Sequence, residues 1–211
     1  MIEIREMIEI NSKKVKIITD NEIAFVVYKG DLRKYGMKLH SFIEEDVFER
    51  FVKEVLCPRA KKRGMYMLSS REYTVKGLEQ KLQNDGYPFF VIEEAIAYLT
   101  KYHYLDDERY AGAFIRTYAG GRSRNEIIRK LTEKGIHKEL AQRIYAEQEE
   151  LGDIAGDKSV IKEILKKKSF SLVDSTKEER IKMRNYLYRK GFSADSINAM
   201  FKEVSDFYDD F

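Results

Sequence analysis

At residues 127–136 the chain reads IIRKLTEKGI, and this pattern decides the fold because it occurs three times. Apolar residues stand eight and four positions before Gly135, and another follows it directly. The same skeleton surrounds Gly86 and Gly191. An apolar skeleton that recurs at an interval of about 50 residues indicates a repeat architecture.

Each copy of the skeleton predicts a helix that ends in a tight turn. Apolar residues four positions apart share one helix face, and glycine suits the residue after a helix, where φ becomes positive. A second helix follows the turn, and another helix precedes each pair, at residues 60–70, 108–118 and 159–168. We therefore predict a mostly α protein of three tandem three-helix, helix-turn-helix-like repeats in an elongated array.

Short capping motifs support these helix positions. Ser123 with Glu126 and Thr176 with Glu179 match the capping box, in which each side chain bonds the other residue's backbone N–H. Pro88 suits the first turn of a helix, where its missing N–H costs nothing.

The N-terminal region has a different periodicity. Residues 1–28 hold three short segments with near-alternation of apolar and polar residues, separated by turn signals, and predict a small antiparallel β-meander. Residues 42–56 carry apolar residues at helical spacing, so a helix is expected to cover the meander. Cys57-Pro58 is predicted to end that helix, because a residue before proline avoids the α region.

These patterns divide the chain into four predicted parts. They are the N-terminal meander with its helix at 1–57, repeat one at 58–107, repeat two at 108–152, and repeat three with an acidic tail at 153–211.

Composition gives a basic surplus to the repeats. The chain has 211 residues, of which 36% are charged, and a net charge of +3. Residues 1–57 carry ten basic and eleven acidic side chains, whereas the remaining residues carry 29 and 25. Basic clusters of this kind can face phosphates or an acidic protein surface, or can be solvated helix faces. No apolar run approaches the roughly 20 residues that span a bilayer, so a cytoplasmic protein is expected.

The residues MLSSREYT at 67–74, with LEQKL at 78–82, resemble the first repeat of the RecX family. The residues YLDDERYA at 104–111 resemble its most characteristic stretch, which opens the second repeat, and IRKLTEKGI at 128–136 is similar to the turn of that repeat. Gly77 departs from the family pattern, which usually has an acidic residue before the leucine.

The resemblance covers residues 60–204 and carries functional expectations. It implies a non-enzymatic regulator, acting as a monomer, that binds along the groove of the RecA recombinase filament. Many members inhibit ATP hydrolysis and strand exchange, in recombination, DNA repair and the SOS response. The implied partner is the RecA filament. Single-stranded or double-stranded DNA is a further candidate partner. The N-terminal β segment is similar to extensions on longer members.

The residues themselves offer no catalytic constellation. The chain lacks a GxxxxGK[ST] loop, and His40, His103 and His137 have no metal-ligand spacing. Asp106-Asp107-Glu108 is better explained as the acidic start of a helix than as a metal site. Cys57 stands alone, so no internal disulfide can form, and a buried or linker thiol is expected. We therefore expect that the protein is not an enzyme and that it binds no cofactor or metal ion.

Basic residues are the candidate partner contacts. Arg122 and Arg124 rank first, because they follow Gly120-Gly121 in a turn where exposure is expected. Arg129 has an alternative role, an intrahelical pair with a glutamate. The full candidate set is Arg71 and Lys81 in repeat one, and Arg109, Arg116, Arg122, Arg124, Arg129 and Lys130 in repeat two.

Two alternatives remain open from sequence. One is a general DNA-binding protein of helix-turn-helix-like units, which would bind DNA without RecA and with a steep salt dependence. The other concerns the aromatic residues, which can pack a core or stack on single-stranded bases beside arginine and lysine. Six of them are placed in the core by their positions: Tyr87, Phe89, Phe90, Tyr98, Tyr102 and Tyr104.

Overall fold

The structure, a computed structural model, describes residues 1–202. The chain forms two compact units: unit 1 is Met1–Asp106, and unit 2 begins at Asp107. The predicted acidic tail lies outside the described residues. Among the helices that are described, none is long and apolar enough to cross a membrane.

Unit 1 opens with an antiparallel sheet in the order β3-β2-β1-β4. Its strands are Ile2–Glu9 (β1), Lys14–Thr19 (β2), Ala24–Tyr28 (β3) and Phe42–Ile43 (β4). Alternate side chains of the first three strands point into the core, among them Ile4, Ile17 and Phe25, which are fully buried. The predicted three-stranded meander is therefore confirmed.

The segment after the meander differs from the prediction. Lys29–Lys34 forms a short helix (α1), and Phe42 belongs to β4 instead of starting a helix. Phe42 and Ile43 pair with the first residues of β1, which leaves the Phe42 side chain 64% exposed. The next helix, α2, covers Glu45–Phe51 and begins after Glu44, whose backbone is extended.

The predicted helix end at Cys57-Pro58 is wrong. A π-helical turn, Val52–Leu56, follows α2 and leads directly into α3, Cys57–Leu68. The Cys57 N–H donates to the carbonyl of Val52, five residues back. The wider π turn stands where an α-helix would require an N–H from Pro58, so the helical path continues through the proline. The proposed boundary between residues 57 and 58 thus falls inside one helical segment.

The sheet and repeat one share a single hydrophobic core. Phe25 of β3 lies 5.9 Å from Phe51 of α2, ring centre to ring centre. Repeat one adds α4, Val75–Asn84, and α5, Phe89–Lys101. Helices α3 and α5 approach closely at Gly64, where an added Cβ would lie 2.6 Å from Leu99 Cδ1.

Unit 2 contains six further helices within residues 107–202. They are Asp107–Tyr118 (α6), Arg124–Glu133 (α7), Lys138–Glu150 (α8), Asp157–Lys167 (α9), Lys177–Arg189 (α10) and Ala194–Lys202 (α11). With α3, α4 and α5 they give three helices per repeat in the described part of the chain, as predicted. Helices α6 to α8 enclose one core cluster and α9 to α11 another. The four-part division of the whole chain stays a prediction.

The three glycines occupy equivalent turns, as the repeat prediction requires. Gly86, Gly135 and Gly191 have φ values of +89°, +95° and +86°. In each turn the N–H after the glycine donates to the carbonyl of a leucine five residues earlier. These bonds are Tyr87 to Leu82 at 3.2 Å, Ile136 to Leu131 at 3.0 Å, and Phe192 to Leu187 at 3.3 Å. They satisfy carbonyls that a helix end leaves unpaired.

Candidate partner-binding surface

The start of α7 is fixed against the glycine turn of repeat three. Ser123 is fully buried, and its Oγ donates to the carbonyl of Lys190 at 2.8 Å. The same oxygen accepts the N–H of Glu126 at 3.2 Å, so it also caps the helix. Asn125 Nδ2 donates to the carbonyl of Gly191 at 3.1 Å. Side chains at the start of α7 are therefore held in fixed positions.

Arg124 is held by a second set of contacts. Its backbone N–H donates to Asp157 Oδ1 at 2.9 Å, at the start of α9. Burial raises the pKa of Asp157, and the nearby charge of Glu149 raises it further, although the hydrogen bond from Arg124 acts in the opposite direction. The Arg124 guanidinium lies 5.1 Å from the Tyr145 ring centre and 3.7 Å from Glu149 Oε2.

Arg122 and Arg124, predicted to be exposed, are partly buried. Arg122 forms an ion pair with Glu126, and its guanidinium lies 5.1 Å from the centre of the Tyr118 ring. The Arg122 and Arg124 side chains are only 36% and 38% exposed. Each arginine has a carboxylate and an aromatic ring within reach, so part of each side chain packs against unit 2.

The other repeat-two candidates lie on two helices. Arg129 is exposed on α7 and pairs with Glu133, the intrahelical alternative expected from sequence. Lys130 is half-buried in the last turn of the same helix. Arg109 and Arg116 are exposed on α6, and their spacing of seven residues gives them one helix face.

A charged concavity of about 450 Å³ lies between α7 and the turn of repeat three. Its lining combines the predicted candidate Arg129 with Arg189 and Lys190, which sequence reasoning did not select. The missed signal was a basic pair directly before the third glycine. The structure thus brings basic side chains of two repeats together around Asn125, Glu126 and Gly191.

The repeat-one candidates belong to unit 1. Arg71 lies in the connection between α3 and α4, where its guanidinium is 4.6 Å from the centre of the Tyr73 ring. Lys81 is exposed on α4. Thr74 caps α4 by accepting the N–H of Gly77, so the departure from the family pattern at Gly77 leaves this helix start intact.

Most of the aromatic residues expected in the core are on the surface. Phe89 is 71% exposed, and Phe90, Tyr102 and Tyr104 are exposed as well, whereas Tyr87 and Tyr98 are half-buried. The core face of α5 is filled by smaller side chains, which are Val91, Ile92, Ala95, Ile96 and Leu99. The prediction that Phe89, Phe90, Tyr102 and Tyr104 lie in the core is therefore wrong, because it rested on their apolar rings alone.

Cys57, the single cysteine, is not a reactive nucleophile in this fold. The Cys57 thiol is buried and donates to Glu94 Oε2 at 3.0 Å. Burial and the adjacent carboxylate raise the pKa of Cys57 to about 12, which keeps the thiol protonated and poorly nucleophilic at neutral pH. Across residues 1–202, histidine, cysteine and carboxylate side chains form no group of three that could hold a metal ion.

Comparison with known proteins assigns each repeat. The family descriptions RecX first, second and third three-helix domain match residues 60–99, 106–143 and 157–201. The chain belongs to the RecX family. The resemblance seen in the sequence is thereby confirmed, and the protein has a RecX-type regulatory role in a family that is not catalytic.

Individual RecX proteins match along most of their length. A regulatory protein RecX from Clostridium botulinum (strain Eklund 17B / Type B) is 27% identical over 204 residues, covering 93% of this chain and 92% of the relative. A regulatory protein RecX from Bacillus licheniformis is 29% identical over 209 residues, covering 95% of this chain and 76% of the relative.

Solved RecX structures share the fold. A crystal structure of regulatory protein RecX matches with a TM-score of 0.58 and 20% identity, over 96% of this chain and 100% of that one. The RecX structure from Lactobacillus salivarius matches with a TM-score of 0.59 and 21% identity, over 71% of this chain and 97% of that one.

Proposed function

We propose that this protein binds the RecA filament and inhibits its ATP hydrolysis and strand exchange. The observation that carries the proposal is the match of all three repeats to RecX domains, together with relatives named as regulatory proteins. A cytoplasmic location and action as a monomer belong to the same proposal.

The basic concavity of unit 2 is the proposed centre of the contact. Arg129, Arg189 and Lys190 line one recess, and Ser123 and Asn125 hold its two sides together. A recess that is already ordered loses less conformational entropy on binding than free side chains would. Carboxylates of RecA, or DNA phosphates in the filament, are suitable ligands for these cations.

The other repeat-two candidates are proposed as secondary contacts. Arg109 and Arg116 share a face of α6, whereas Arg122 and Arg124 use part of their donor capacity inside unit 2. Truncation of Arg122 or Arg124 would therefore disturb α7 as well as any contact with a partner. Arg129 and Arg189 give the cleaner test.

The test measures RecA ATP hydrolysis on single-stranded DNA while this protein is titrated in. Wild-type protein is expected to inhibit. The double variant Arg129→Ala/Arg189→Ala is expected to need roughly ten times more protein for the same inhibition, a loss of about 1.4 kcal/mol. The matched control is Lys162→Ala/Lys167→Ala, which removes two exposed cations from α9.

Two outcomes would count against the proposal. Equal inhibition by wild type and the Arg129/Arg189 variant would remove the recess from the contact. No effect of wild-type protein on ATP hydrolysis or strand exchange would contradict RecA regulation itself.

A further inference from the structure

A second basic surface lies within unit 1, where α3 passes the outer strand of the sheet. Arg59, Lys62, Arg63 and Tyr66 stand at intervals of three, four and seven residues on α3, so they share one helix face. This face borders a concavity of about 330 Å³, here called the α3 notch. Its cationic and aromatic lining residues are Lys14, Tyr28, Arg59, Lys62, Arg63, Tyr66 and Tyr87.

Arg59 is held in the notch by Asp31 and Tyr28. It donates two hydrogen bonds to Asp31, of 2.5 and 3.0 Å, and its guanidinium lies 5.0 Å from the centre of the Tyr28 ring. Burial opposes ionisation of Asp31, but the hydrogen bonds from Arg59 and from the Tyr28 N–H outweigh it and lower the pKa of the carboxyl group. The carboxylate therefore stays charged and holds the arginine.

Arg63 keeps part of its donor capacity open. Its Nε donates to Asp85 Oδ2 at 2.7 Å, and its guanidinium lies 5.8 Å from the centre of the Tyr66 ring. Within residues 1–202 its two terminal nitrogens have no hydrogen-bond acceptor, and exposed Lys62 forms no ion pair. The notch thus offers oriented cationic donors to a ligand.

The aromatic rings of the notch are accessible. Tyr66 is 69% exposed, Tyr28 is exposed, and Tyr87 is half-buried beside them. Single exposed aromatic residues are common, but tyrosines that share one concavity with four cations are not explained by core packing. Accessible rings beside arginine and lysine are the combination that binds single-stranded nucleic acid.

We propose that the α3 notch binds single-stranded nucleic acid, with a base stacked on Tyr66 and a backbone phosphate held by Arg63 and Lys62. An acidic protein segment would use the cations but would gain little from the open ring face. Asp31 and Asp85 neutralise part of the basic charge, which leaves stacking a large share of the binding energy. This binding needs no RecA and uses other residues than the filament contact proposed above.

The experiment measures binding of a labelled 20-nucleotide oligo(dT) to the full chain by fluorescence anisotropy, at low salt and without RecA. Tyr66→Ala is expected to weaken binding at least about fivefold, which corresponds to about 1 kcal/mol, the lower limit of base stacking. Tyr66→Phe keeps the ring and should bind like wild type. Tyr188→Ala, which removes an equally exposed tyrosine from α10, is the matched control.

The phosphate contact has its own readout. The slope of log affinity against log salt concentration is negative, and Lys62→Ala is expected to make it less steep by about 0.7, the value for one phosphate of a single strand. The control Lys38→Ala removes another exposed lysine of unit 1 and should leave the slope unchanged.

Four results would overturn the proposal. They are no binding of oligo(dT) by wild type, equal affinity of wild type and Tyr66→Ala, equal binding of an abasic strand, and equal losses for Tyr66→Ala and Tyr188→Ala. The RecA titration is read separately, so failure of the notch does not imply failure of the regulatory proposal.

Discussion

The turns at Gly86 and Gly191 have the same backbone but different neighbours. In unit 1 the edge strand β3 supplies the contact, because the Val26 N–H donates to the carbonyl of Gly86 at 2.9 Å. In unit 2 the contacts come from side chains, through Ser123 to Lys190 and Asn125 to Gly191. A glycine turn thus presents carbonyls that either a strand edge or a helix start can use.

Only one of these two kinds of contact leaves a signal in the sequence. A backbone N–H is available at almost every residue, so nothing in the side chain of Val26 indicates its bond to Gly86. A serine followed by a glutamate three residues later has a recognisable role, and Ser123 was predicted to begin a helix. Its second bond, to Lys190, had no signal because that residue lies 67 positions away.

The largest expected effect tests the two turns directly. Gly86→Ala forces a side chain into positive φ and places its Cβ 2.1 Å from Val26 Cγ2, so we expect a loss of about 2–5 kcal/mol. Gly191→Ala has the same φ problem but a milder approach, 2.8 Å from Ser123 Oγ, and should lose about 1–3 kcal/mol. Urea unfolding of each variant measures the difference.

A second variant checks the cause. Adding Val26→Ala to Gly86→Ala removes the methyl group that is too close, so part of the lost stability should return. No recovery in the double variant would assign the loss to the positive φ together with the Cβ of residue 26, which the added Cβ would still approach to 2.8 Å.

Next in size is a comparison of two aspartates that join neighbouring parts of the chain. Asp31 binds Arg59, and its pKa in the folded state is lowered. Its contribution to the free energy of unfolding is therefore fully present above the unfolded-state pKa of about 3.9. That contribution is lost as the pH falls through the lower pKa of the folded state. Asp31→Asn should cost about 1.5–3 kcal/mol at pH 7. The cost should shrink as the pH falls below about 3.9, because the unfolded chain is protonated there first and the folded carboxyl group only at lower pH.

Asp157 should respond to pH in the opposite direction. Burial raises its pKa, so the folded state holds the proton more tightly than the unfolded state, and stability falls as the pH rises from the unfolded value through the folded one. Asp157→Asn should therefore gain stability relative to wild type across that window. Unfolding curves at several pH values test both variants, and parallel profiles for the two would refute the assigned causes.

The smallest expected losses of stability come from removing two helix caps. Ser123→Ala removes a cap and also leaves the Lys190 carbonyl without its donor, so a loss of about 1–2 kcal/mol is expected. Thr176→Ala removes the exposed capping box with Glu179 and should lose only about 0.5–1 kcal/mol. Thermal unfolding can rank the pair, and a larger loss at Thr176 would show that burial at Ser123 contributes nothing.

The local rules succeeded where one segment determines the outcome. Positive φ at the three glycines, the caps at Ser123 and Thr176, and the repeated helices follow from short patterns. The N-terminal strands followed from alternation of apolar and polar residues.

Sequence reasoning failed where distant residues decide. Arg124 is held by Glu149 and Tyr145, more than twenty residues away, so its place beside a turn left the side chain only partly exposed. Arg59 and Arg63 each form an ion pair with an aspartate more than twenty residues away, so neither pair has a local signal in the sequence. Residues 52–56 show no sign in their side chains that they form a π turn.

That π turn determines the angle, about the helix axis, between the face of α2 that packs on the sheet and the face of α3 that packs on α5. Before it, Phe48 and Phe51 face the sheet, and after it Ala60 and Gly64 lie in the core, with Gly64 against Leu99 of α5. A change of one residue in an α-helix rotates everything downstream by about 100°. Removing the extra residue of this turn would therefore swing Gly64 away from α5, so a single irregular turn sets the orientation of repeat one relative to the sheet.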